Sequence, residues 1–430
     1  MSRIWIKQGR ILDPDSNRDE IVDLLLENGK IVDIAPRITP TSASPNEVFI
    51  DAKGLWVVPG LIDIHTHLRD PGFEYKEDIE SGCLSASRGG FTSIVCMANT
   101  EPVNDNASVT EYILNKAKKF GKCRVFPVGA VTKGLKGKTL SEFGDLKESG
   151  VVALSDDGMP VCNPQLLRHA LEYARNFDLP IISHCEDLQL SACGSMNEGK
   201  VSTELGISGI PHTSEEIMVA RDIELADLSK GRLHLAHLST LRSVRLLRQA
   251  KERGIQVTGE VTPHHIILTD EAVKGYDANF KMNPPLRTEE DRQEMIKGLK
   301  EGVFDAIASD HAPHSIDEKE VEFEKAPFGV IGFETTLPIT LKLVHDGFLK
   351  PLDAIRLLTI GPAKTIGLEG GKIKKNGVGD ITIIDPEQEI IIDREKMASK
   401  SKNTPFHGWK MHGQVRYTLI NGEIIYDQKA

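Results

Sequence analysis

At 430 residues, with 40% hydrophobic and 27% charged residues, the chain sits in the ordinary globular range, which excludes a fibrous or disordered protein. A net charge of −11 without a basic block excludes non-specific nucleic-acid binding, and any anionic substrate must meet local positive charge in its site. The start, residues 1–8, lacks the basic and apolar regions of a signal peptide, no apolar run nears membrane-spanning length, and the six cysteines form no CxxC pair; a cytoplasmic protein with reduced thiols, and no membrane partner, is the expectation.

Short β-like runs open the chain at 3–6, 21–26, 31–34 and 48–50. A different pattern follows. Eight apolar runs, at 61–66, 91–98, 124–131, 151–155, 179–183, 232–236, 255–261 and 304–309, are mostly separated by helix-like segments such as 163–176, 214–228 and 240–254. This alternation predicts an α/β fold with a parallel (β/α)₈ TIM-type barrel over 59–365, although an open doubly wound sheet gives the same alternation. Strand-like runs return at 381–384, 390–392, 415–420 and 424–426, the last two flanking Asn421-Gly422, a hairpin signal. Strands at both ends predict a small β-sandwich unit built from residues 1–58 plus 366–430.

The ends of the eight runs carry the chemistry. Run one ends in His65-Thr66-His67, run two in Asn99, run four in Asp157, run five in His184, run six in His237 and run eight in Asp310. Barrel active sites gather at the carboxyl ends of the strands, so such residues at the ends of six strands carry weight that a lone HxH does not. Period-two alternation turns His65 and His67 to one side, where imidazole and carboxylate donors suit zinc or a related divalent ion, one or two in number. The same parity sends His234 outward to the helices as a structural histidine and makes Cys185 a packing residue behind His184. It does not choose between Asp156 and Asp157. Asn99 reads equally as a turn residue before Glu101-Pro102, and His264 and His265 read as structural.

Residues 59–67, Met97-Ala98-Asn99-Thr100, Ser155-Asp156-Asp157-Gly158, His184-Cys185-Glu186-Asp187 and Ser309-Asp310-His311-Ala312-Pro313-His314 resemble the amidohydrolase superfamily. His67-Leu68-Arg69-Asp70-Pro71-Gly72 and Ala326-Pro327-Phe328-Gly329 narrow the resemblance to the class I dihydroorotases, over essentially the whole chain, Gly377-Val378-Gly379-Asp380 included. The resemblance implies that His65, His67, Asp157, His184, His237 and Asp310 are metal ligands, choosing Asp157 over Asp156. It implies substrate contacts from His67, Arg69, Asn99, Asn283 and His314, with main-chain contacts around Phe328 and Gly329. The implied activity is reversible cyclisation of N-carbamoyl-L-aspartate to L-dihydroorotate in pyrimidine synthesis, with Zn²⁺ as cofactor. The resemblance also leaves room for a complex with aspartate carbamoyltransferase, or a homo-oligomer. One departure stands out: many two-metal relatives bridge their ions with a carboxylated lysine on strand four, where this chain offers only Asp157.

Asp310 is then expected to take the water proton and return it to the leaving amide nitrogen. Arg69 offers a rigid donor fork for the substrate carboxylate, completed by Asn99 and His314. The charged stretch 315–325 reads equally as a solvated loop and as a lid. Two other functions compete: another cyclic amidohydrolase of hydantoinase or allantoinase type, and a non-catalytic dihydroorotase-like partner of aspartate carbamoyltransferase. Arg69 and the missing lysine count against the first, and six filled ligand positions against the second.

Overall fold

The computed structural model describes residues 3–39 and 47–429. Each of the eight central runs contains a strand: β1 (Leu61–Thr66), β2 (Phe91–Cys96), β3 (Arg124–Gly129), β4 (Ala153–Ser155), β5 (Ile181–Ser183), β6 (Leu233–Leu235), β7 (Val257–Val261) and β8 (Ala306–Ile307). They pair in chain order, each parallel to the next. Past β8 the ring closes through a parallel bridge between Thr66 and His311, with the His67 N–H donating to His311 O at 2.9 Å. An open sheet has no such contact, so the barrel is the fold.

Val95, Val128, Ala153, Ile182 and Ala306 from five strands, with Ala236 just after β6, pack together inside the ring. Leu233, Leu235, Val257 and Val261 pack with Val219, Ile223, Val244 and Leu247 of the surrounding helices. Those helices begin where local chemistry says they should. The helix Pro164–Ala174 follows Asn163, whose side chain accepts from the Gln165 and Leu166 N–H groups, and Leu241–Glu252 follows Thr240, which accepts from the Ser243 N–H. Among the described residues no helix is long and apolar enough to cross a membrane.

The remaining long strands, from both ends of the chain, form one continuous eight-stranded sheet: Arg3–Asp13, Arg18–Glu27, Lys30–Ala35, Glu47–Asp51, Trp56–Pro59, Ile381–Ile391, Lys410–Ile420 and Glu423–Asp427. The two runs expected at 381–384 and 390–392 are one strand with an irregular stretch between Asp385 and Glu389. Trp56–Pro59, absent from the expected strands, pairs with Ile381–Ile391 on one side and Arg3–Asp13 on the other, so it joins the two termini. A break in register between Ile6 and Gly9 lets Arg3–Asp13 pair first with Glu47–Asp51 and then with Trp56–Pro59. A Cβ at Gly9 would lie 2.4 Å from Val57 Cγ2, so the crossing needs glycine. The sheet buries its own core, including Ile6, Ile11, Leu24, Val57, Ile383 and Leu419.

A candidate metal centre and substrate cleft

Short strands leave the ligand residues at or just beyond their carboxyl ends. His65 lies within β1 and His67 just after it, while Asp157, His184, His237 and Asp310 follow β4, β5, β6 and β8. The structure brings all six together, and all six are buried. Asp157 is central: its Oδ1 lies 3.3 Å from His65 Nε2 and 3.5 Å from both His184 Nδ1 and His237 Nε2, and its Oδ2 lies 3.5 Å from His67 Nε2. Asp310 Oδ1 is 3.1 Å from His67 Nε2 and 3.8 Å from His65 Nε2. Two triads, His65–Asp157–His237 and His65–His67–Asp310, hold their donor atoms within 4.8 Å of one another. His237 and Asp310, like Arg69, take positive φ values (32°, 46° and 62°), which side-chain-bearing residues adopt only when surroundings enforce it.

These residues fit a metal ion. His65 Nε2 and Asp157 Oδ1 are buried and have no hydrogen-bond partner. Leaving such atoms unmatched is costly, and one cation among them satisfies both. Burial works against charge here, yet the histidines around Asp157 hold it well below the usual carboxylate range. Burial likewise opposes a charged His65, but the Asp157 and Glu260 carboxylates outweigh it and raise its pKa.

Behind the ligands stand two carboxylates that no strand end announces. Glu260, fully buried on β7, places Oε1 2.6 Å from His65 Nδ1 and accepts the His237 N–H at 3.3 Å; its Oε2 lies 3.0 Å from His234 Nε2. Glu186 Oε2 lies 2.8 Å from His184 Nε2 and accepts from Asn283 Nδ2 at 2.8 Å. The signal for Glu260 was a charged residue inside the apolar run 255–261, which burial obliges to be paired. His234 corrects the expectation of an outward side chain. It reaches Glu260 and, through Nδ1 at 2.9 Å, Thr258 Oγ1, two residues on one face of β7. Its alternation does not extend to His237, because β6 ends at Leu235 and His237 bends away with positive φ.

The neighbours sort as follows. Asp156 accepts from the Thr132 N–H at 3.0 Å and from its hydroxyl, so it turns from the site and leaves Asp157 there. Cys185 packs among helix-facing residues with Sγ 3.7 Å from Asp222 Oδ2, and burial pushes its thiol pKa up. His265 is held between Thr262 Oγ1 (2.7 Å) and Pro284 O (2.9 Å).

Above the ligands opens a cavity of about 330 Å³ lined by His67, Arg69, Asn99, Asp157, His184, His237, Asn283, Asp310, His314, Phe328 and Gly329. Among the described residues Arg69 is the one Lys or Arg lining it. Its Nε donates to Pro313 O at 3.2 Å and its Nη2 lies 3.3 Å from His314 Nε2. Burial, with Arg69, Lys76 and Lys319 nearby, holds the His314 pKa below its ordinary value, so a neutral imidazole faces the guanidinium. Asn99 Oδ1 lies 3.0 Å from His67 Nδ1. Gly329 gives its N–H to Lys281 O at 2.9 Å. The stretch 315–325 is tied down: it holds a one-turn helix, Ile316–Lys319, and the buried Lys319 ammonium donates to Ala278 O (2.9 Å) and Pro327 O (2.8 Å).

The family model described as Dihydro-orotase-like matches residues 54–243. The chain is 52% identical over 423 residues to the dihydroorotase of Geobacter metallireducens, covering 98% of this chain and 99% of that one. The chain belongs to the dihydroorotase family. The dihydroorotase of Acetivibrio thermocellus is 51% identical over 426 residues, 99% of both chains. Among solved structures, the L-hydantoinase (dihydropyrimidinase) from Arthrobacter aurescens superposes with a TM-score of 0.89 at 24% identity, covering 100% of this chain and 97% of that one. The dihydropyrimidinase from Brevibacillus agri gives 0.83 at 23%, covering 99% and 95%. At those identities the hydantoinases show the shared fold, whereas dihydroorotase relatives of twice the identity run the length of the chain. It is therefore an enzyme with dihydroorotase activity, and neither the hydantoinase nor the non-catalytic alternative is favoured.

Proposed function

We propose that this dihydroorotase interconverts N-carbamoyl-L-aspartate and L-dihydroorotate with one or two zinc ions held by residues among His65, His67, Asp157, His184, His237 and Asp310. One observation carries the reading: buried nitrogen and oxygen donors from five strands converge, and among them His65 Nε2 and Asp157 Oδ1 have no hydrogen-bond partner. Such donors suit zinc. When bound, the ion supplies Lewis acidity, acidifying water toward a pKa of about 7 and polarising a carbonyl. Asp157, whose oxygens lie within 3.5 Å of His65, His67, His184 and His237, is in reach of one ion or of two.

The chain does the rest. Burial favours a neutral Asp310, but His67, His65 and His237 hold it below the ordinary carboxylate range, so at neutral pH it is an ionised acceptor at the cavity wall. It takes the proton of the attacking water and returns it to the ring amide nitrogen as that bond breaks. Arg69, fixed by Pro313 and His314, grips the carboxylate that both substrates carry, with Asn99 and His314 beside it. Asn283, Phe328 and Gly329 line the same cavity. Ring opening creates a new carboxylate and releases a proton, so low pH favours the ring and high pH the open form.

The proposal extends to a barrel domain of 59–365, a terminal unit of 1–58 plus 366–430, and a cytoplasmic setting; association with aspartate carbamoyltransferase or with further copies is read by co-purification and size-exclusion chromatography. The central test strips the enzyme with a chelator, reloads it with zinc and follows dihydroorotate turnover beside elemental analysis. Activity should return in step with bound zinc. Full activity in stripped protein, or none after reloading, refutes the assignment.

A further inference from the structure

Residues 392–409 leave the terminal sheet between Ile381–Ile391 and Lys410–Ile420 and cross the loops beyond β1 and β8. The Ala398 N–H donates to Glu334 Oε1 at 2.7 Å, Ser399 Oγ and the Lys400 N–H donate to the buried Glu77 carboxylate, and Ser401 Oγ donates to Lys76 O at 2.7 Å. Asn403 does more. It is 3% exposed, and its Nδ2 donates to both Ala312 O and Gly329 O at 3.0 Å while its Oδ1 accepts the His314 N–H at 3.1 Å. Its own carbonyl accepts the Ile331 N–H at 3.0 Å. A carboxamide has two N–H donors and an oxygen acceptor, so no other side chain of this length makes this set of contacts.

The consequence runs toward the cavity. Arg69 is held by Pro313 O and His314 Nε2, which flank the His314 N–H that Asn403 holds. Gly329 lines the same cavity beside this seat: a Cβ there would lie 2.8 Å from Ala312 Cβ and 3.2 Å from His314 Cδ2. We infer that Asn403, supplied by the terminal unit from outside the barrel, is a positioning residue that clamps the Ala312–His314 segment, and with it the Arg69–His314 carboxylate seat, against Gly329. This rests on the proposed substrate site, and the two are separable by experiment: turnover of dihydroorotate by the parent tests the site, and the ratio of variant to parent tests Asn403.

The full-length, zinc-loaded enzyme is compared with Asn403→Ala for kcat, KM, bound zinc and melting temperature. Misplacing a binding group by a fraction of an ångström to an ångström costs up to about 10²-fold. KM for dihydroorotate and for carbamoyl aspartate should therefore rise roughly tenfold or more, kcat should fall by a smaller factor, and zinc per chain should match the parent. Should the alanine variant not fold, Asn403→Ser, which keeps one donor, is measured the same way with the same expectation. A KM within twofold of the parent for both substrates, with only the melting temperature lowered, shows a purely structural residue and overturns the inference. Loss of zinc that accounts for the loss of rate overturns it as well.

Discussion

Replacing Glu260 by glutamine keeps the size of a fully buried side chain and removes its charge. The carboxylate receives His65 Nδ1 at 2.6 Å and His234 Nε2 at 3.0 Å, which fixes His65 with its proton on Nδ1 and leaves Nε2 free toward the ligand cluster. Glutamine has one acceptor and two donor hydrogens. With its oxygen toward His65, its amide faces His234, which changes tautomer because its other nitrogen meets the Thr258 hydroxyl, a group able to donate or accept. The fold should survive, but His65 loses a charged partner. Such outer partners are worth about 10–100-fold in metal affinity, roughly 1.4–2.7 kcal/mol. The assay is zinc retention against graded chelator, read by elemental analysis, with melting curves of stripped and loaded protein; turnover is not needed. Zinc affinity should drop by that factor, and the zinc-induced rise in melting temperature should shrink. An affinity within twofold of the parent would refute the idea that Glu260 orients His65.

Asp310→Asn should keep much of the zinc yet lose about 10²–10⁴-fold in kcat, because an amide cannot accept the water proton; near-normal rates in loaded protein would remove Asp310 from that role. Arg69→Met should raise KM for both substrates roughly tenfold to a hundredfold, since losing a charge-assisted contact costs on the order of 1.5–3 kcal/mol; an unchanged KM would put the carboxylate elsewhere. Reloading stripped enzyme in carbon-dioxide-depleted buffer should succeed without bicarbonate, because among the described residues no lysine lines the cavity. Asp157→Ala should lose zinc in either buffer, and a bicarbonate requirement would show that a lysine is modified after all.

The barrel was legible because its buried parallel strands read as continuous apolar runs, and its donors were legible because they stand where those runs stop. Other features depended on partners far off in the chain. The choice of Asp157 over Asp156 turns on Thr132, in another loop, which draws Asp156 aside. Parity failed at His234 because a three-residue strand ended before the alternation reached His237. Glu260 escaped a reading confined to strand ends, although a lone acid in an apolar run was visible all along. Asn403 lies 91 residues from Ala312 and 74 from Gly329, and no local pattern marks it.

Charge joins the donor cluster to the carboxylate seat. Asp157 and Asp310 are held ionised at the cavity, with the Glu260 carboxylate behind them, and the chain as a whole carries −11. Against these stand Arg69, the one Lys or Arg on the cavity wall among the described residues, and His65 and His184, whose pKa the neighbouring carboxylates raise despite burial. Such a site accepts an anionic substrate only where positive charge offsets those carboxylates, on these histidines or on an ion among them. The histidines and aspartates that seat an ion therefore also make the cavity acceptable to a carboxylate, and Arg69 sets where that carboxylate goes. Buried acids without a cation are a burden that a purely structural partner has no reason to keep. Their retention together with Arg69 is what an enzyme acting on a small anion requires.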